Sequence, residues 1–495
     1  MLPAAALWLA AQQGRADDAR RLLGGADEAA KAAALYVGVV NDHVEVVEVL
    51  IQPPGAVPFS TIMDMVENAA THGNVKTLLV LLGAGGGRWP RFRDSGVARA
   101  AERGHLDVVR VLVAHKAQLE CTDTHQITAL CFASQHGHLA TAQFLLESKA
   151  SVDASYVRST APLMLAATHA HRDVVELLVR SSADVNAADK YGRTALTRAA
   201  RSGHCATAAV LLQSKAAVDG SAVLAEAAFV GHTAMTALLL AHGASVNAVH
   251  DGMTALTQTC LRNHRAVALQ LLKHRASVNG VAGPNQCRHR PLNVACERGQ
   301  LATVKMLLRH KAAVNLRDST GWTPLINACR ENHADIAEWL LEHKAAIDGV
   351  DHDGDTPLGY AAKKNHLSIA AMLIARGAKI EGVRTKSPLV LACRRGHSHL
   401  ARLLLDSKAS TAGVHADIPH ARCTLGWAVS GWAAAAAAAA AMTKAAAAVA
   451  QTGTKAAAMA ETAAVTARAE AEAAAAAEAA AAGTARAEAD TVSWT

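Results

Sequence analysis

Short apolar runs alternate with polar turns along most of the chain, and the apolar positions follow a helical period. Val108, Val109, Val111 and Leu112, for example, fall on one side of a helix. A polar turn precedes this run and another follows it, so each apolar run predicts one short amphipathic helix. A smaller, Ala-rich helix is predicted ahead of it. The pattern therefore predicts a chain of helix pairs.

The helix pairs recur at a nearly fixed interval. His105, His138, His171 and His204 are each 33 residues apart. The next step is 28 residues long, which predicts a shortened turn and a notch, and the 36-residue step after His264 predicts a longer turn. About thirteen units are indicated. The remaining equivalent positions are Arg15, His43, Asn74, His232, His264, Gln300, His333, His366 and His397.

Each unit carries the same local signals. A threonine precedes Pro-Leu or Ala-Leu at the start of the first helix, as in Thr194-Ala195-Leu196. We expect the threonine oxygen to cap this helix, and proline suits the first helical turn. Small residues such as Ala199 and Ala200 follow, and then Gly or Asn ends the helix in a left-handed conformation. Each unit is thus a polar turn followed by two closely packed helices.

Over residues 4–411 these units resemble ankyrin repeats, which consist of a β-turn and two helices. The resemblance implies an all-α fold, an ankyrin-repeat α-solenoid whose helix–turn–helix units are joined by hairpin loops. It also implies that the first helices and the turn tips form a concave face that holds a partner.

The sequence predicts four segments. Degenerate N-terminal capping repeats occupy 1–94, and the regular array occupies 95–411. An incomplete repeat or C-cap follows at 412–432. Residues 433–495 are an Ala-rich low-complexity tail, for which fluctuating helix and disorder are both open. Terminal repeats are often atypical because they must cap the stack.

Two departures from the family pattern predict local differences. The histidine that usually follows Pro-Leu and ties adjacent repeats is replaced, for example by Cys131, Thr197 and Asn293. We expect those inter-repeat hydrogen bonds to be absent or replaced. The glycine that usually precedes a repeat's final alanine is often basic here, and a left-handed side chain costs about 1 kcal/mol. We expect less regular turns at Lys116, Lys149, Lys215, Arg275, Lys311, Lys344 and Lys408.

Composition narrows the class of protein. Apolar residues make up 51% of the chain and aromatic residues 3%, which suits helices packed closely through Ala, Leu and Val. Nine scattered cysteines without paired spacing argue for a reducing compartment. We therefore expect an intracellular protein, cytoplasmic first and nuclear as the alternative. The sequence contains no uninterrupted run of about 20 uncharged apolar residues, so it does not predict a membrane span.

No catalytic or cofactor-binding motif stands out. The glycine-rich segment at 83–87 lacks the Lys-Ser or Lys-Thr of a phosphate loop. The closest approach to a metal-ligand cluster is Cys393, His397 and His399, but paired Cys spacing is missing and Cys393 occupies a core position. We therefore predict no enzyme activity, no cofactor and no metal.

A line of cations points to a partner-binding surface. Cations follow the small residues of successive first helices, and six of them make up what we call the basic strip: Arg298, Arg330, Lys363, Lys364, Arg394 and Arg395. Because cations also suit a helix C-terminus, a merely solvated surface is the alternative. The turn tips add Tyr191, Arg193, Arg317 and Trp322. Trp322 is expected either to anchor a partner or to pack on the next turn.

These features predict a non-enzymatic protein–protein interaction scaffold. Its partner is expected to carry an acidic segment, drawn by the chain's net charge of +7. The alternative is a targeting or substrate-recruiting subunit of a separate enzyme complex. We expect a monomer without a small-molecule substrate. The basic and aromatic segment at 88–93 is one short loop and does not predict nucleic-acid binding.

Overall fold

A computed structural model describes residues 2–52, 57–84, 92–120, 127–154, 160–218, 221–281, 289–381 and 387–409. Within these ranges the chain forms twenty-six α-helices, which follow one another as thirteen pairs. They belong to two compact units, one ending at Ala313 and the other beginning at Val314. The glycine-rich stretch at 85–87, the longer turn near 283–285, and the predicted segments 412–432 and 433–495 lie outside the described residues.

The first unit contains ten helix pairs, and two or three residues separate the helices within each pair. The ten pairs are, in chain order, α1 (Leu2–Gln12), α2 (Ala16–Leu22), α3 (Glu28–Val40), α4 (Val44–Ile51), α5 (Phe59–His72), α6 (Val75–Ala84), α7 (Phe92–Arg103), α8 (Leu106–Ala114), α9 (Ala129–His136), α10 (Leu139–Glu147), α11 (Pro162–Thr168), α12 (Arg172–Arg180), α13 (Ala195–Ser202), α14 (Cys205–Gln213), α15 (Ser221–Val230), α16 (Thr233–Ala241), α17 (Ala255–Arg262), α18 (Arg265–Lys273), α19 (Pro291–Glu297) and α20 (Leu301–Arg309).

The second unit contains three pairs in its described part: α21 (Pro324–Arg330), α22 (Ala334–Glu342), α23 (Pro357–Lys364), α24 (Leu367–Ala375), α25 (Pro388–Arg394) and α26 (Ser398–Asp406). Strands β1 (Val249–His250) and β2 (Met253–Thr254) of the first unit pair in antiparallel fashion, with Val249 opposite Thr254. A short 3₁₀ helix (Leu23–Gly25) follows α2. The predicted all-α solenoid fold is thus confirmed, and none of the described helices is long and apolar enough to cross a membrane.

Threonine caps start the first helices, as the sequence predicts. The side chains of Thr128, Thr194 and Thr323 each accept a hydrogen bond from the backbone N–H three residues later. The helices end at left-handed residues such as Gly137 and Asn263. Such a cap typically contributes about 1 kcal/mol, so the boundaries of these short helices are encoded locally.

The helices pack in two layers within a unit. First helices contact first helices, as α9 contacts α7 and α11, while second helices contact second helices, as α10 contacts α8 and α12. Leu112, Leu145, Leu178 and Leu211 occupy one position in four successive second helices, and none has exposed surface. Burying each of them contributes about 1.5–3 kcal/mol. The core is therefore a row of repeated contacts between neighbours.

Histidine ladders link successive pairs, and at the Pro-Leu position Cys131 Sγ–H donates to the carbonyl of Ala154 at 3.4 Å. In the first unit, His138 Nε2–H donates to the carbonyl of Glu102 at 3.0 Å, and His171 Nε2–H donates to Gln135 at 2.9 Å. The imidazole lies over the glycine of the preceding pair: a Cβ on Gly137 would come within 2.3 Å of His171 Nδ1. The repeated Gly-His positions are therefore structural, and they explain most of the conspicuous histidines.

The basic turns correct one expectation. Lys116, Lys149 and Lys311 do adopt left-handed conformations, with φ of 65°, 68° and 64°. The turns are nevertheless regular: Lys116 N–H donates to Val113 and Ala117 N–H donates to Leu112, at 2.9 and 3.1 Å. The prediction of less regular turns was therefore wrong. These turns keep their hydrogen bonds because the exposed side chains meet no obstacle, so the cost is confined to the backbone.

A candidate partner-binding surface

We call the described hairpin loops between a second helix and the next first helix fingers, and aspartates hold three of them. Asp189 is 6% exposed. Its carboxylate accepts the backbone N–H groups of Tyr191 and Arg193 and the Nη2–H of Arg198, each at 2.9 Å. Burial alone raises the pKa of this carboxyl, but the donors Arg193, Tyr191 and Arg198 outweigh it and lower the pKa below its ordinary value. Asp189 thereby fixes the finger that carries Tyr191 and Arg193.

The same device recurs in the second unit. Asp318 accepts the backbone N–H of Trp322 at 3.0 Å, and Asp351 accepts that of Asp355 at 2.9 Å. Our reading of the sequence missed these aspartates. The signal that could have found them is the recurring Asp-x-x-Gly-x-Thr motif, which begins at Asp189, Asp318 and Asp351.

Tyr191 and Arg193 border a cavity of about 500 Å³ in the first unit. Glu226 and Asp251 line it as well, so its wall carries both signs of charge. Its lining residues come from the fingers on either side of the 28-residue step and from α13 and α15, and the cavity lies where the notch is predicted. Tyr191 is 58% exposed, and the Arg193 guanidinium carbon lies 5.4 Å from the centre of its ring. This finger therefore presents an aromatic ring and a cation together.

The second unit aligns most of the basic strip. Arg330, Lys363 and Arg394 lie in the last turns of α21, α23 and α25, which pack side by side. The carbonyl of Arg330 accepts from His366 Nε2–H at 3.1 Å, and the carbonyl of Lys363 accepts from His397 at 3.3 Å. The histidine ladder thus fixes the backbone of the row. The side chains of Lys364, Arg394 and Arg395 are exposed, whereas those of Arg330 and Lys363 are half-buried.

Two predicted residues are not on the three helices of this row. Arg298 is exposed at the end of α19 in the first unit. Arg317 is exposed on a finger of the second unit. The structure therefore groups Arg330, Lys363, Lys364, Arg394 and Arg395 in one unit.

Trp322 is half-buried and packs on its neighbours. Its Nε1–H donates to Tyr360 Oη at 3.0 Å, and the two rings meet edge to face with centroids 6.0 Å apart. The Arg330 guanidinium carbon lies 4.2 Å from the centre of the indole. Of the two alternatives for Trp322, the structure shows packing on the adjacent repeat. The indole therefore supports an adjacent cation, and its partly exposed ring lies within the same surface.

The cysteines and the histidines near Cys393 have structural positions. Cys260, Cys296, Cys329 and Cys393 are buried, and Cys393 thus occupies the core position that the sequence predicts. His397 donates to a backbone carbonyl, as the other ladder histidines do. In the described part of the chain, no three His, Cys, Asp or Glu side chains come together as a metal site would require.

The buried cysteines should react slowly with a thiol reagent at pH 8. Burial raises the pKa of Cys260 to about 12 and also raises the pKa of Cys329, so little thiolate forms at either sulfur. Cys205, which is half-buried, is the internal control. We expect Cys260 and Cys329 to be labelled at least ~10-fold more slowly than Cys205. Mass spectrometry of a labelling time course measures this, and rapid labelling of both would contradict the repeat register.

The helix pairs, the histidine ladders and the braced fingers define a repeat protein that exposes fingers and first-helix ends. Comparison with known families matches "Ankyrin repeats (3 copies)" at residues 66–156, 153–220 and 292–384, which together cover half of the chain. The chain belongs to the ankyrin-repeat family. No curated protein matches it significantly.

Proposed function

We propose that this chain is a non-enzymatic scaffold, because ankyrin repeats are generally protein–protein interaction modules and proteins built from them typically have that role. It holds a partner protein with an acidic segment along the strip residues of the second unit, from Arg330 to Arg395, and the neighbouring finger tips. The carrying observation is the row formed by Arg330, Lys363 and Arg394 on three adjacent first helices. Glu331 pairs with Arg330 at 3.0 Å, and an acidic segment would extend such pairing along the row.

The geometry around the row supports a polypeptide partner. The partly exposed Trp322 places aromatic surface beside Arg330, whose guanidinium carbon lies 4.2 Å from the ring centre. Tyr360 is buried, and Lys363 Nζ lies 5.7 Å from the centre of its ring. Aromatic surface combined with Arg is typical of the residues that dominate binding energy in protein interfaces. In the first unit, Tyr191 and Arg193 beside the cavity offer a second contact of similar chemistry.

The oligomeric state and the compartment of the chain belong to the same proposal. The chain acts as a monomer, because its repeats stack on themselves and a partner is expected to occupy the exposed first-helix face. It works in a reducing, intracellular compartment, which suits its buried cysteines. The alternative role, recruitment of substrates to a separate enzyme complex, would use the same surface and differs only in the identity of the partner.

Charge reversal tests this surface. Arg330→Glu, Lys363→Glu and Arg394→Glu together should weaken association about 10-fold or more at low salt, mainly through a slower on-rate. The probes are a polyglutamate peptide and any partner recovered by affinity purification with the full chain. Surface plasmon resonance gives both rate constants.

The matched control reverses three exposed cations elsewhere in the second unit: Lys344, Arg402 and Lys408. It changes the net charge equally, so it separates the location of charge from its amount. Equal binding by the wild type and the Arg330 triple variant, or equal loss in both variants, would show that the row is only solvated surface.

A further inference from the structure

A second concentration of positive charge lies around the ninth and tenth helix pairs, and apart from Arg298 and Arg317 its cations are not among those predicted to bind the scaffold's partner. Residues 252–317 contain eleven Lys and Arg side chains but only one acidic residue, Glu297, a net charge of +10. The whole chain carries only +7. The same segment contains no Phe, Trp or Tyr. The positive charge is therefore concentrated in this segment and is not spread evenly along the chain.

Six of these cations lie on α18, on α20 and in the turns that end them; Lys305 is half-buried, and the other five are exposed. We call the exposed five the outer cationic patch: Arg265, Lys273, Arg275, Arg309 and Lys311. No side chain of the patch forms an ion pair or hydrogen bond with another described residue. Ala313 N–H donates to Asn279 Oδ1 at 2.8 Å, so the segments that follow Arg275 and Lys311 are joined within the first unit.

Two patch residues occupy left-handed positions, where any side chain is unfavourable for the backbone. Arg275 and Lys311 have φ of 63° and 64°. Glycine occupies the equivalent position of other turns at Gly243 and Gly377, with φ of 84° and 87°. The turn therefore does not need a side chain, and it would be less strained without one.

The helix dipole does not account for these two cations. Lys273 and Arg309 already lie in the last turns of α18 and α20, where a positive charge is favourable. Arg275 and Lys311 add a second cation to each turn. The extra charge at these two turns therefore points to an external anionic surface.

The chemistry of the patch distinguishes three anionic partners: a nucleic acid with exposed bases, a closely docked phosphate and a membrane surface. No aromatic residue is available to stack on exposed bases. The turns lie at helix C-termini, whose carbonyls oppose a closely docked phosphate and whose N–H groups are already used. Large apolar side chains are not exposed in this part of the described first unit, so nothing inserts into a bilayer. Long Lys and Arg stems instead suit the diffuse negative potential above a membrane, which extends over about a Debye length.

We propose that the outer cationic patch adsorbs the protein onto membranes rich in anionic lipids, on the side opposite the first helices. Adsorption is electrostatic, reversible and sensitive to salt. Each Lys or Arg near such a surface strengthens partitioning about 5-fold. A partner held on the first-helix face would then be carried to the membrane.

The test uses the full chain with vesicles of phosphatidylcholine, with and without phosphatidylserine. The variant Arg275→Gly with Lys311→Gly should partition about 25-fold more weakly into the phosphatidylserine vesicles. The same variant should unfold at an equal or higher temperature, because glycine relieves both left-handed residues. Opposite effects on binding and stability are the signature of the proposal.

Lys116→Gly with Lys149→Gly is the matched control. Both residues have the same left-handed geometry in the first unit, outside the patch. The control should show the same thermal effect, with vesicle binding within about 2-fold of the wild type. The proposal would be overturned if vesicle binding did not depend on phosphatidylserine, or if both variants lost the same amount of vesicle binding. If the patch variant were less stable than the wild type, Arg275 and Lys311 would serve to stabilise the ends of α18 and α20, which would contradict the proposal. Tighter binding to a DNA duplex or to polyglutamate, lost in the same variant, would assign the patch to that partner class.

Discussion

Replacing Asp189 with alanine is expected to cost the first unit about 3 kcal/mol of stability, because three donors lose a buried acceptor at once. Tyr191 N–H, Arg193 N–H and the Arg198 guanidinium all donate to this carboxylate. Its side chain is almost fully shielded from water, so water cannot replace it without opening the finger. Chemical denaturation measures the loss, and hydrogen exchange at 189–194 should show that the finger opens first.

Asp184→Ala is the matched control for this prediction. Asp184 lies in the same finger and accepts the N–H of Asn186 at 2.9 Å, but it is exposed. Its replacement should cost less than about 0.5 kcal/mol. If the two variants were equally stable, the buried aspartate would not hold the finger, and the positions of Tyr191 and Arg193 would need another cause.

The pKa of Asp189 also gives the prediction a direction with pH. A carboxyl whose pKa is lowered in the folded state contributes its stability above the unfolded pKa, which is about 3.9. That contribution is lost as pH falls through the lower, folded pKa. Wild-type stability should therefore decline below about pH 4, and Asp189→Asn should decline less steeply there.

The sequence predicted the helix pairs well because their signals are local. The threonine caps, the small residues and the left-handed Gly and Asn positions each act within one or two turns of the chain. The 33-residue period then fixed the order of the pairs, and the 28-residue step predicted the notch where the cavity beside Tyr191 lies.

The site was harder to predict because its residues act across elements. Whether Trp322 was exposed depended on Tyr360, thirty-eight residues later, and on where Arg330 would lie. Asp189 gains its role from Arg198 on the next helix. At Lys116 and Lys311 a local signal was misleading. The preference for glycine predicted less regular turns there, but it was too weak to change the backbone.

Replacing Asp351 with alanine is expected to cost the second unit about 3 kcal/mol and to release Trp322 from its neighbours. Asp351 is 4% exposed and accepts Tyr360 Oη–H at 2.7 Å and Asp355 N–H at 2.9 Å. Burial, followed by the bond to Asp351, raises the pKa of the Tyr360 hydroxyl, which stays protonated at neutral pH and keeps donating. Without the carboxylate, that hydroxyl has no acceptor at its side of the ring.

Two variants separate the aspartate from the aromatic contacts. Asp351→Asn keeps an acceptor oxygen and should cost about 1 kcal/mol, while Tyr360→Phe removes the hydroxyl but keeps the ring and should cost about the same. In a chain whose other six tryptophans are replaced by phenylalanine, Trp322 emission should shift to longer wavelength in Asp351→Ala, because the indole gains contact with water once Tyr360 moves. Arg330 stacks on that indole, so Asp351→Ala and Trp322→Ala should both weaken partner binding, through faster dissociation. Unchanged emission and stability in Asp351→Ala would show that the ring contact alone holds Trp322 and Arg330 in place.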